Sequence, residues 1–240
     1  MGWWRRWPRG RVERPVTPPR TRSRSAVACA GAVVLLVVMG TGATALKVVE
    51  FSPAEMMEWD QRSFSGETSY RLARVDGRQA VHAVCDEGAA SALYTRTEID
   101  LRETPVIEWS WRVKETFSGI DERTRSGDDF AARIYLVDER SILRWRTVAL
   151  NYVWASEEPR GADWPNPYTA RVHMLAVRSG PPAEPGQWVT HRRNVRDDFE
   201  QFHGRELDRL NGLAIMTDCD DVGEPVEAWY GAVRLLEESR

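Results

Sequence analysis

The sequence predicts an all-β protein: an antiparallel β-sandwich with one short helix, preceded by a signal or anchor segment. Three observations carry that prediction. From Val48 onward, turn signals recur every 8 to 15 residues. Between them apolar and polar residues alternate with period two. Helical periodicity appears in a single stretch, so no helices alternate with the strands and the sheet is expected to be mainly antiparallel.

The elements follow in chain order. Residues 1–25 hold eight arginines against one acid, Glu13, and read as a basic disordered leader with a charge of +7. Ala26 to Met39 is a run of 14 small or apolar residues, closed by Gly40-Thr41-Gly42 and an Ala43-Thr44-Ala45 site. A basic leader, an apolar run and an A-x-A site are the parts of a signal peptide, with cleavage near Leu46. The competing reading is a retained anchor, because residues 26–46 are 21 uncharged positions, just long enough to span a membrane. In either case the arginines stay cytoplasmic and residues 47–240 form an exported domain, periplasmic or held on the inner membrane.

Within that domain RLARVDGRQAVHAV reads as a hairpin turning at Asp76-Gly77. Leu93, Thr95, Thr97 and Ile99 alternate with Tyr94, Arg96, Glu98 and Asp100. In IEWSWRVK (107–114), Trp109 and Trp111 share one face, and Glu108, Arg112 and Lys114 take the other. A sandwich strand turns one face to the core, so the tryptophans are expected inside. Residues 129–137 alternate, and TVALNYVWA (147–155) is apolar on both faces. Further strands are expected at 169–177, 186–195, 211–218 and 226–236. RDDFEQFHG, with acids in its first turn and Gly204 as a stop, is the helix.

Composition narrows the function. Removing the leader leaves 25 basic and 35 acidic residues, a charge of −10, so nucleic acid is not an expected partner. No metalloprotease, nucleophile-elbow or phosphate-loop motif is present. Candidate chemistry therefore comes from clusters. Residues 155–169 have no periodicity and contain Trp164, Asn166 and Tyr168, with Trp154 at their root. Long ordered loops often carry function, and aromatic faces beside amides suit sugars or other polar small molecules. Trp164 as a hydrophobic plug is the structural alternative. Asp218, Asp220 and Asp221, with Glu224 nearby, offer oxygens of the kind calcium takes, although the spacing is not that of an EF-hand loop. A solvated acidic turn is the favoured reading of this cluster over a metal site. Asp128 and Asp129 precede a strand that carries Arg133, and neighbouring carboxylates can divide acid and base work. Cys85 and Cys219, both in the exported part, can form a disulfide in an oxidising compartment or remain buried thiols.

Four ordered blocks, 100–137, 149–180, 186–204 and 211–233, resemble a bacterial family catalogued as domain of unknown function three thousand and forty-seven. The resemblance covers about residues 65 to 236. It implies an exported or envelope-associated protein, and its pattern is similar to galactose-binding-like jelly rolls. Three departures stand out. Thr217-Asp218-Cys219-Asp220-Asp221-Val222 replaces T-D-T-D-N-T, Tyr230-Gly231-Ala232-Val233 replaces Y-G-D-I, and Cys85 stands where the family has serine. The missing aspartate at 232 weakens a metal or catalytic role there. Two cysteines appearing together strengthen the disulfide. The expectation is an exported, non-catalytic, glycan-binding sandwich using Trp154, Trp164, Asn166, Tyr168 and Arg133, with no required cofactor and with membrane contact only through an uncleaved N-terminal segment. Its alternatives are a glycan-active enzyme using Asp128 or Asp129 with Asp218, and a structural or assembly protein of the envelope.

Overall fold

The computed structural model describes residues 48–139, 147–184 and 186–238. The expected leader (1–25) and signal or anchor segment (26–46) lie outside them. No helix among the described residues is long and apolar enough to cross a membrane.

The order is β1 (Val48–Phe51), α1 (Pro53–Met56), β2 (Asp60–Ser65), β3 (Ser69–Val75), β4 (Arg78–Cys85), β5 (Ala90–Thr95), β6 (Ile99–Asp100) and β7 (Val106–Val113). A 3-10 turn (Arg125–Gly127) leads to β8 (Ala132–Asp138), β9 (Val148–Ala155), β10 (Asp163–Asn166), β11 (Thr169–Ser179) and β12 (Val189–Asn194). Then come α2 (Val195–His203), β13 (Arg209–Leu210), β14 (Gly212–Asp218) and β15 (Val226–Leu236). Two sheets face each other. Sheet A runs β12-β7-β15-β4-β3, with β1 also on β15; sheet B runs β10-β11-β9-β8-β14-β5-β2.

Local chemistry explains the punctuation. Asp76 and Gly77 both have positive φ, 52° and 76°, as the two-residue turn between β3 and β4 requires. The Asn194 side chain accepts from the Arg196 and Asp197 amides to start α2, and Gly204 at φ 60° ends it. α1 was not visible as periodicity because it is a single turn; Ser52 and Glu55 close it as a capping box. The expected alternating strand through Ile99 is broken, since β5 stops at Thr95 and Ile99 pairs instead with Leu210.

One pair departs from the antiparallel expectation. β11 runs parallel to β9. The reason is β10: the chain leaves β9, runs back along the outer edge, and must return between them, antiparallel to β10 and so parallel to β9. β10 also replaces the second half of the loop expected at 155–169.

The core lies between the sheets. Trp109 and Trp111 of β7 are buried, as the alternation predicts. Trp109 stacks on Tyr152 of sheet B at 5.3 Å, and Trp111 meets Trp154 at 6.2 Å. Cys85, ending β4 in sheet A, is bonded to Cys219, just after β14 in sheet B, with Cα atoms 6.0 Å apart. The disulfide therefore ties one sheet to the other.

Candidate functional site

The two outer faces of the sandwich differ in chemistry. Sheet A turns out charged side chains that pair with one another: Lys114 and His82 both meet Glu227, and Arg234 meets Glu50 and Glu108. This is a solvated face. Sheet B is different. Its strand register lines up Asp60, Tyr94, Ala214, Tyr135, Asn151, Met174 and Trp164 across all seven strands. Directly paired residues point to the same side, so these form one lane roughly 29 Å wide at about 4.8 Å per strand. Every member except Asp60 is buried. The neighbouring lane, Arg62, Ala92, Met216, Arg133 and Val153, carries a buried arginine.

At one end of these lanes three connections converge: the turn into β8, the turn after β14 and the β10–β11 turn. Gly127 permits the first, because a Cβ there would lie 2.4 Å from the Asp121 carbonyl oxygen. Arg133 points into this end. Its guanidinium contacts the Asp218 carboxylate directly and lies 3.8 Å from Asp128, and it donates to the Asp128 carbonyl oxygen at 3.2 Å. Its backbone is held by Tyr230, whose hydroxyl accepts from the Arg133 amide and donates to the Met216 carbonyl. Asp128 accepts from Asn166 Nδ2 at 2.8 Å. Asp218 accepts from the Phe130 amide. Asp129 accepts from the Asp221 and Val222 amides at 3.0 and 2.5 Å, which ties the β8 entry to the turn after β14. Tyr168 forms the rim. Its hydroxyl donates to Asp221 at 2.6 Å, and Arg125 lies over its ring.

The electrostatics are strained by burial. Asp128, Asp129, Arg133 and Asp218 are each at least 98% inaccessible, given exposures of 1%, 0%, 1% and 1%. Burial pushes the Asp128 carboxyl up to about 7, against the pull of Arg133 and the Asn166 hydrogen bond. Burial likewise raises Asp129 to about 6, opposed chiefly by the Val222 amide. Asp220 is raised by burial and by Asp221. One fixed positive charge therefore faces three buried carboxylates and two on the rim. Several polar atoms here have no hydrogen-bond partner: Nε and Nη1 of Arg133, Oδ1 of Asp128 and Asp129, and Nε1 of Trp164. Leaving such atoms unpaired costs about 1–3 kcal/mol each, so their concentration at one place marks a buried polar cluster that reaches solvent only through its rim of Tyr168, Asp220 and Asp221.

The structure rearranges the expected residues. Arg133, Asn166, Tyr168, Asp128, Asp129 and Asp218 come together. Trp154 is at 0% exposure in the core and Trp164 at 2%, packed near Phe130 with Arg123 over its ring. Neither offers a ring face, so both support the site from behind; the stacking role expected of them has no surface to act through. The expected metal set of Asp218, Asp220, Asp221 and Glu224 also changes. Asp221 is engaged by Tyr168 and Glu224 is exposed, while Asp129, Asp218 and Asp220 bring oxygens within 4.8 Å of one another. Asp218 is neutralised by Arg133, which makes this trio a poor match for the six to eight oxygens that calcium gathers. Tyr135, Asn151 and Met174 were missed by sequence reasoning. For Asn151 the signal was the apolar character of 147–155 on both faces, which marks a strand buried twice; Tyr135 and Met174 lie on the flanking strands β8 and β11. A cavity of about 650 Å³ elsewhere, among Arg102, Asn194, Arg196, Glu200 and Glu238, is lined by exposed or half-exposed charges and lacks this convergence of buried groups.

The model of a family described as "Protein of unknown function (DUF3047)" matches residues 57–234. No curated protein matches the chain by sequence. Among solved structures, the family 11 carbohydrate-binding module of a Clostridium thermocellum cellulosomal cellulase is similar at 8% identity and a TM-score of 0.44, over 82% of this chain and 97% of that one. Endoglucanase Cel12A from Rhodothermus marinus is similar at 13% identity and 0.39, over 78% and 99%. The glycoside hydrolase domain of Endo-D from Streptococcus pneumoniae is similar at 5% identity and 0.40, where the match covers 76% of this chain and 22% of that one.

Proposed function

The chain belongs to the DUF3047 family, and we propose that its exported domain binds a hydroxyl-rich ligand, a glycan of the cell envelope, without reacting on it. The observation that carries this reading is the Arg133 cluster. A buried guanidinium and buried carboxylates with unpaired hydrogen-bonding atoms sit beneath a rim where Tyr168, Asp220 and Asp221 keep partial exposure. At the rim the Asp220 and Asp221 carboxylates accept hydroxyl protons, and the Tyr168 hydroxyl donates and accepts. Sugars present such hydroxyls in arrays. Charge-assisted bonds to the rim carboxylates would hold such a ligand over the buried cluster. The Cys85–Cys219 disulfide supports the export half of the proposal, because such bonds persist in oxidising compartments.

A catalytic reading has one observation in its favour. Asp128, held at about 7, lies in the range suited to a general acid near neutral pH. The two readings part on a glycan array followed by product analysis. Binding without release of shortened glycan supports the proposal, and Tyr168→Ala should weaken binding by about 1 kcal/mol or more while leaving the melting temperature unchanged. Product release that Asp128→Asn abolishes would make the protein an enzyme. No binding to any glycan would leave the envelope-assembly role in its place.

A further inference from the structure

A second site lies away from the Arg133 cluster, at the open flank of the sandwich where the edge strand β12 passes β11. A cavity of about 200 Å³ opens there, lined by Arg160, Gly161, Val177, His191, Arg192 and Arg193 among others. We propose that this cavity binds a compact oxyanion: a sulfate, phosphate or carboxylate group carried by a larger molecule or free in solution.

The argument starts from charge. Residues 47–240 are acidic, yet this cavity gathers Arg160 from the loop after β9 with Arg192 and Arg193 from β12, and Arg178 of β11 lies near enough to act on His191. Arg193 is already neutralised by Asp198, and Arg192 has Glu108 at 3.6 Å. Arg160 and Arg178 have no carboxylate within ion-pair distance among the described residues, and neither Arg178 Nε nor His191 Nε2 has a hydrogen-bond partner. Fixed positive charge without a counter-charge, beside an unpaired imidazole nitrogen, is the arrangement that an oxyanion completes.

Backbone geometry builds the pair. In β11 the register shifts between Ala176 and Arg178, and Arg178 is brought opposite Trp154 rather than onto the outer face. A bulge of this kind re-aims a side chain. The Arg178 guanidinium then lies 5.6 Å from the centre of the Trp154 ring, whose Nε1 is anchored on the Gly180 carbonyl. Arg160 is set by Gly161, which has φ 89° and whose amide donates to the Ala176 carbonyl at 2.7 Å. His191 sits on the core side of β12, 5.3 Å from Trp109 and 5.5 Å from Trp111. Burial first, and then the charges of Arg160, Arg178 and Arg193, lower the His191 imidazole to about 4. The positive potential expected of an oxyanion site is therefore felt at that ring.

The site is independent of the glycan reading, and its test separates the two. Full-length protein is titrated at constant ionic strength with sodium sulfate, sodium phosphate and sodium glucuronate, reading tryptophan fluorescence and the His191 ring resonances. Constant ionic strength removes general screening. The expected result is saturable binding of at least one of the three, with His191 shifts. Which anion binds most tightly identifies the source of the group. Arg160→Ala, an exposed position, should weaken that binding about tenfold, equal to about 1.4 kcal/mol. Arg178→Ala should do the same, and Arg171→Ala, an exposed arginine elsewhere on β11, should not. Tyr168→Ala should leave anion binding unchanged even where it abolishes glycan binding. No saturable binding below about 50 mM of any anion, or equal weakening by Arg171→Ala, would overturn the proposal.

Discussion

Removing the disulfide should cost the domain a large part of its stability. The perturbation is the double variant Cys85→Ala, Cys219→Ala. Both sulfurs are fully buried, and alanine leaves no unpaired polar atom in their place. The magnitude follows from the separation of 134 residues between the two cysteines. In the chain-entropy account a loop of that length, once opened, restores about 17 cal/mol/K to the unfolded chain, or about 5 kcal/mol at 25 °C. For a domain of this size each 1 kcal/mol moves the midpoint by about 2–4 °C, so the expected fall is about 10–20 °C. The bond also joins β4 of one sheet to the end of β14 of the other, so its loss should loosen the neighbouring Asp129–Val222 tie. The assay is thermal denaturation of oxidised wild type against the double variant, with thiol titration of the unfolded, unreduced protein as control. A midpoint within about 2 °C of wild type would refute the entropic argument. Recovery of thiols from Cys85 and Cys219 in protein made in an oxidising compartment would refute the bond itself.

Other expectations concern the core and the buried charges. Trp109→Ala should cost about 3–5 kcal/mol in urea denaturation, and Trp164→Ala should cost a similar amount, because both rings are buried. Arg133→Met should destabilise by about 3–5 kcal/mol, since it strands Asp128 and Asp218 without their cation; a neutral result would show that the carboxylates are protonated together. The carboxyls of Asp128 and Asp129 titrate higher folded than unfolded, so the folded state holds the extra protons. The stability they contribute is complete below the unfolded carboxylate range and is lost as pH rises through about 6 to 7. Melting curves across that window should show Asp128→Asn gaining on wild type as pH rises; a constant difference would contradict the raised carboxyl.

Local order was legible because it is encoded by neighbours along the chain. The alternation of IEWSWRVK placed Trp109 and Trp111 in the core, Asp76-Gly77 set a turn only such residues adopt, and first-turn acids with Gly204 delimited α2. What the sequence could not decide is pairing across distance. β10 exists because its four residues find β11 at the sheet edge, and that turned an apparent loop into a strand, buried Trp164 and made β11 run parallel to β9. The candidate site joins Asp128, Arg133, Asn166 and Asp218 across 90 positions of sequence, and only strand register brings them together. The placement of Arg178 near the proposed oxyanion cavity depends likewise on one register shift in β11. By itself the sequence determined which residues turn inward and where the chain bends, since a period of two and a turn dipeptide act within a few residues. Which faces meet, and which charges lose their solvent, was decided by the tertiary structure, because desolvation and register are properties of the assembled sheets.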